Sequence, residues 1–86
     1  MDRVQVVKLA TMEAIENAFG QTVRQYREKQ GISQEDFAAK AGIHRTYISS
    51  IELGKVQVSI AIADKLAEAL GVSLSKVFRD VEKLRQ

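Results

Sequence analysis

Five glycines divide the 86-residue chain into stretches in which apolar residues recur at helical spacing. They lie at positions 20, 31, 42, 54 and 71, and four of the five follow such a stretch. Glycine is favoured just past the C-terminus of a helix because it adopts a left-handed backbone conformation at little steric cost. The pattern therefore predicts helices joined by short turns, and the chain length allows one small domain.

The same spacing predicts an all-α fold of five helices, three of which follow a serine that can cap the helix N-terminus. Gly20 lies inside the first helix, where glycine is weakening unless another backbone packs against it. The only candidate strand is Val4 to Val7. Residues 1–13 are predicted to form an N-terminal extension (an arm, more of the first helix, or an extra helix) to a domain of residues 14–86. In order, the helices are predicted from about residue 15 to Gly31, Ser33 to Gly42, through Tyr47 and Ile51 to Gly54, Ser59 to Gly71, and Ser73 to about residue 85.

The composition excludes most enzyme chemistries. The chain has no Cys and one His, so disulfides, thiolate clusters and a Cys nucleophile are ruled out. A glycine-rich phosphate loop after a strand and a metal-ligand spacing are also missing. We therefore expect no catalytic residue, metal, cofactor or small-molecule ligand. No apolar segment has the pattern of a signal peptide or a membrane span, so we expect a cytoplasmic protein that does not enter a membrane.

The most informative stretch runs from Gln34 to Glu52, where two predicted helices meet at a tight turn around Gly42. From Ile43 to Ile51 it contains no carboxylate. A polar face without carboxylates suits the major groove of DNA, whereas an acidic face would be repelled by phosphates. The positions predicted to face inward are Phe37, Ala38, Ala41, Ile43, Ile48 and Ile51, and those predicted to face outward are Gln34, Arg45, Thr46, Ser49 and Ser50.

Residues 19–78, about 60 of the 86, resemble the phage repressor and Cro type of helix-turn-helix domain. The resemblance is carried by Phe19–Ala38 (FGQTVRQYREKQGISQEDFA), Gly42–Lys55 (GIHRTYISSIELGK) and Leu66–Val72 (LAEALGV). The run RTYIS within the second segment is similar to the small controller proteins of restriction–modification systems. The resemblance implies a compact five-helix fold with a recognition helix at about residues 44–53. The chain departs from the family in having His44 at the usual cap position and no Pro in the following loop.

The resemblance also implies roles for single residues. It places Arg45, Thr46 and Ser50 at base edges and Gln34 at the phosphate backbone, with the amides near Gly54 and Lys55 also touching phosphate. We expect further phosphate contacts from His44, Tyr47 and Ser49, although Tyr47 could equally fill the edge of the core. Arg27 and Glu52 occupy the positions of a buried ion pair between the first and third helices, for which a structural role is favoured.

The last predicted helix, about residues 74–85, carries an apolar stripe longer than the core needs. The stripe either packs on the fourth helix or forms a two-fold dimer interface. We favour the dimer because one small module has too little surface for tight specific binding. The residues of the predicted interface are Leu74, Val77, Phe78, Val81 and Leu84.

The sequence thus predicts a homodimeric, sequence-specific regulator of transcription, such as a repressor, that binds double-stranded DNA at a near-palindromic operator. The alternative is a protein-interaction module of the same fold, such as an antitoxin or a coactivator adaptor. Affinity for random duplex that falls steeply with salt would favour DNA binding over the adaptor.

Overall fold

The computed structural model describes residues 14–86. They form five helices and no strand, which confirms the predicted all-α fold. The expectations for residues 1–13, including a strand at Val4 to Val7, lie outside the described part of the chain. The helices are α1 (Ile15–Lys29), α2 (Gln34–Ala41), α3 (Arg45–Glu52), α4 (Ile60–Leu70) and α5 (Leu74–Leu84).

Local hydrogen bonds set where the helices begin. The hydroxyls of Ser33, Ser59 and Ser73 each accept a hydrogen bond from the backbone N–H three residues later, at 3.0–3.1 Å. These bonds satisfy N–H groups that have no partner within the helix, so the three predicted serine caps are confirmed. At the end of α2, Gly42 adopts φ 69° and ψ 36°. This left-handed conformation turns the chain towards α3 within two residues.

One core lies between the five helices. Its largest fully buried side chains include Phe37, Ile48, Ile51 and Leu66. The helix α1 packs against both α3 and α5, and α2 packs against α3 and α4. Ala41 and Ile43, which were expected to be buried, are only partly so.

The position of α5 corrects part of the predicted dimer interface. Val77 and Val81 are each 1% exposed, because α5 packs this side against α1. Both belong to the core of the protomer and are not free to contact a second copy. Leu74 and Phe78 are partly buried, and Leu84 is 37% exposed.

Gly20 is where the backbones of α1 and α3 meet. A Cβ atom at this position would lie 2.2 Å from the carbonyl oxygen of Ile51 and 2.8 Å from that of Glu52. Glycine lowers the intrinsic stability of α1 at this position, but it lets the last turn of α3 approach the backbone of α1 closely. This contact fixes the distance between α1 and the last turn of α3.

A second link joins α1 to α5. The Tyr26 hydroxyl donates a hydrogen bond to Asp80 Oδ2. Burial, together with this bond, raises the pKa of Tyr26 to about 12. The bond from Tyr26, helped by the nearby Lys76, Lys83 and Arg79, lowers the pKa of Asp80 below its usual value. The bond therefore needs the proton of Tyr26 and is strongest while Asp80 is ionised.

We expect Tyr26→Phe to flatten the pH dependence of stability. Stability linked to the raised pKa of Tyr26 is present below about pH 10 and is lost as the pH rises through its folded value. Stability linked to the lowered pKa of Asp80 is present above about pH 4 and is lost as the pH falls. Urea unfolding near pH 3, 7 and 11 measures both, with Tyr47→Phe as the control. An unchanged pH profile in the Tyr26 variant would contradict this expectation.

Candidate nucleic-acid interface

The exposed side of α3 carries the side chains predicted to meet DNA. Arg45 and Thr46 are exposed, and Ser49 and Ser50 are partly buried at its edges. Ile48 and Ile51, on the opposite side, are at most 1% exposed and anchor the helix in the core. Within residues 14–86 the guanidinium of Arg45 forms no hydrogen bond or ion pair, so all its donors are available. Of the base-contacting residues predicted from the sequence, Arg45 and Thr46 are thus fully presented and Ser50 only in part.

His44 caps α3 despite being an unusual residue at that position. Its Nδ1 accepts a hydrogen bond of 3.2 Å from the backbone N–H of Thr46. An imidazole nitrogen can accept only when it carries no proton, so the proton of neutral His44 resides on Nε2. The ring is exposed, and Nε2–H remains a donor for an external acceptor such as a phosphate.

The electrostatics of this surface follow from the missing carboxylates. No acidic residue lies in the first turn of α3. Its one carboxylate, Glu52, ends the helix, and its side chain is turned inward and 2% exposed. A polyanion therefore meets polar and positive groups along the exposed side of α3.

Glu52 is the centre of a buried polar network. Its Oε2 accepts from Arg27 Nε at 2.7 Å, and its Oε1 accepts from Arg27 Nη2 at 3.0 Å. The hydrogen bonds to Glu52 raise the pKa of Arg27 above its ordinary value. Arg27 Nη1 also donates to the carbonyl oxygen of Ile32, which ties the α1–α2 turn to the pair. The pair thus joins α1, the turn and the end of α3.

Gln34, expected to point away from the protein, is instead part of this network. Its Nε2 donates a 3.0 Å hydrogen bond to Glu52 Oε1. Gln34 is partly buried as the first residue of α2. Nothing in the local sequence signals this bond, because the two residues are 18 positions apart.

The turn after α3 corrects one expected phosphate contact. The N–H of Gly54 donates to the carbonyl of Ile51, and the N–H of Lys55 donates to that of Ser50, both at 3.0 Å. These amides close the end of α3 and are already used. The exposed Lys55 side chain, rather than its amide, remains for a phosphate. Tyr47 is partly buried against the core cluster, in keeping with a mixed role.

Other kinds of site find little support in the described residues. Among residues 14–86 no three His, Cys, Asp or Glu side chains are grouped as a metal site. In the same part of the chain, no helix is sufficiently long and apolar to span a membrane.

The chain is similar to members of one protein family and to several controller proteins. The helix-turn-helix family HTH_3 matches residues 23–77. The control protein C.MunI of Mycoplasma sp is 45% identical over 73 residues, which cover 84% of this chain and 99% of that protein. The controller C.AhdI of Aeromonas hydrophila is 36% identical with a TM-score of 0.71, covering 73% and 96% of the two chains. The controller C.Esp1396I, solved as a tetramer with its natural 35-base-pair operator, is 28% identical with a TM-score of 0.78, covering 84% and 95%.

Proposed function

This chain belongs to the helix-turn-helix family, and from that membership we propose that it is a sequence-specific DNA-binding regulator of transcription. The observation that carries the proposal is the exposed side of α3, where Arg45 has no partner within residues 14–86 and no carboxylate is exposed. An arginine with its donors free can contact the O6 and N7 acceptors of guanine. The operator-bound structure of C.Esp1396I supports the same use of the shared fold. We also propose that the chain has no catalytic activity. Because its proposed ligand is DNA, we propose that it acts in the cytoplasm.

The proposed contacts divide into those that specify and those that position. Arg45, Thr46 and Ser50 would read base edges in the major groove. Phosphate contacts would come from Gln34 and the Lys55 side chain, with His44 Nε2, Tyr47 and Ser49 at the margins. The positioning contacts add affinity for any sequence, and the base contacts add discrimination.

Arg45→Ala should weaken binding to the preferred duplex by about 1–3 kcal/mol and binding to random duplex little. The preferred duplex is obtained by selecting bound sequences from a random pool. Fluorescence anisotropy then gives both affinities over a series of salt concentrations. Equal losses on both duplexes would assign Arg45 to a phosphate instead of a base.

Lys55→Ala is the matched control for that experiment. It should weaken binding to both duplexes alike and reduce the slope of log K against log salt by about one. If the unmodified chain binds no duplex at low salt, the DNA-binding proposal is wrong. A protein-interaction module of the same fold would then explain the family resemblance.

We also propose that the chain acts as a homodimer on a near-palindromic operator. With Val77 and Val81 in the core, the apolar surface left to a second copy centres on Ile60, which is 78% exposed at the start of α4. Ile60 and Phe78 line one groove of about 240 Å³ together with Ile15. Large apolar side chains that are exposed together, such as Ile60 and the 45% exposed Ile15, can mark an interface. Leu74 and Leu84 of α5 complete the proposed contact.

Ile60→Glu should raise the dissociation constant of the dimer by about a hundredfold or more, because the interface would bury an unpaired charge. Sedimentation equilibrium measures the constant directly. Leu53→Glu is a suitable control, because Leu53 is also exposed, at 56%, but does not line the groove. An Ile60 variant that associates as strongly as the unmodified chain would move the interface elsewhere.

A further inference from the structure

The hydrogen bond between Glu52 and Gln34 connects the buried network to the proposed DNA surface. Glu52 ends α3 with its side chain 2% exposed, whereas Gln34 begins α2 and is half-buried. The bond is 3.0 Å long from Gln34 Nε2 to Glu52 Oε1. The buried carboxylate of Glu52 thus holds the side chain of Gln34, which reaches the solvent.

The chemistry of the carboxylate dictates how the amide of Gln34 is turned. Both carboxylate oxygens of Glu52 accept hydrogen bonds from Arg27, so they present lone pairs and no proton to Gln34. Only the NH₂ side of the amide can therefore face it. The second N–H of Gln34 and its Oε1 form no other hydrogen bond among the described residues and are open to an external partner.

We infer that Glu52 is a positioning residue for DNA binding: it acts through Gln34 and does not touch the duplex. This role rests on the proposed function. A glutamine free in solution loses rotamer freedom when it binds a phosphate, and its amide can present the wrong edge. Because Glu52 holds the Gln34 side chain, its rotamer freedom is lost when the protein folds and not when the phosphate binds. One N–H is then already directed outward for a phosphate oxygen. Arg27 balances the charge of Glu52, so the carboxylate does not repel the duplex.

A double-mutant cycle on duplex affinity tests the inference. Glu52→Asp keeps the charge but withdraws the carboxylate by one methylene group, and Gln34→Met removes the amide. In the Gln34 background, Glu52→Asp should weaken binding by about three- to tenfold, the cost of immobilising one flexible side chain. In the Gln34→Met background the same change should alter affinity less than about twofold. Additive effects would overturn the inference.

Glu28→Asp is the matched control, because Glu28 pairs with Arg24 at 3.1 Å on the exposed side of α1. It should leave the affinity unchanged within about twofold. Circular dichroism at the assay temperature establishes that each variant is folded.

A second measurement needs no variant of Glu52. In the ¹⁵N-labelled chain, the side-chain NH₂ of Gln34 should exchange with water more slowly than that of Gln25, which is exposed on α1. Equal exchange would show that the amide is not held and would overturn the inference even if Glu52→Asp does not fold. If the unmodified chain binds no duplex, the proposed function fails, and the positioning role fails with it. Duplex binding with additive variant effects would overturn the positioning role alone.

Discussion

Replacing Gly20 by alanine should lower the free energy of unfolding by about 2–3 kcal/mol, the cost of overpacking a well-filled contact. Helix propensity alone favours the opposite result, because alanine in a helix interior is better than glycine by about 1 kcal/mol. The contact decides the sign here. The new Cβ would lie 2.2 Å from the carbonyl oxygen of Ile51, a backbone atom that cannot rotate away. Either α1 or α3 must shift to make room.

Urea unfolding followed by circular dichroism gives this difference directly. Gln25→Ala, on the exposed side of the same helix, should change stability by less than about 0.5 kcal/mol. A Gly20→Ala variant as stable as the unmodified chain would mean that α3 moves outward at little cost. Duplex affinity would show the displacement independently, since α3 carries the proposed base contacts.

Glu52→Ala should destabilise the domain by about 3 kcal/mol, the scale for breaking one partner out of a buried ion pair. The substitution leaves the Arg27 guanidinium without its counter-charge and the Gln34 amide without its acceptor. Thermal unfolding should therefore begin at a clearly lower temperature. An unchanged melting temperature would show that water replaces the carboxylate without penalty.

Two controls separate burial from charge. Glu28→Ala removes a carboxylate from an exposed pair whose side chains are 53–54% accessible, so its cost should stay below about 1 kcal/mol. The double variant Arg27→Met, Glu52→Met removes both charges and should recover much of the loss, because no buried charge is then unpaired. A double variant as unstable as Glu52→Ala would assign the loss to packing.

The parts of the fold that were predictable from sequence are those set by neighbouring residues. A serine three positions before its partner N–H closes a cap regardless of the rest of the chain, so Ser33, Ser59 and Ser73 could be recognised directly. The end of α2 at Gly42 is local for the same reason. The exposed side of α3 was predictable because helical spacing separates Arg45 and Thr46 from the core residues.

The features that escaped prediction depend on which elements meet. Whether Val77 or Leu84 faces inward is decided by α1, and helical spacing within α5 cannot show it. The bond between Tyr26 and Asp80 joins residues 54 positions apart. Periodicity also gives no sign that the amide of Lys55 is used to close α3. For the candidate site, the sequence predicted that α3 presents its polar face. It could not predict that Lys55 offers its side chain, and not its backbone amide, to a phosphate.

The backbone contact at Gly20 has a consequence for how new specificities could arise in this scaffold. Gly20 contacts main-chain atoms in the last turn of α3, on the side that faces the core. The placement of α3 therefore does not depend on the side chains at its solvent-exposed edge. Residues 45, 46 and 50 can accordingly be exchanged without retuning the hydrophobic interior. A change of operator preference would then need only a few substitutions. The fold would tolerate each of them, even before it changes which operator is bound.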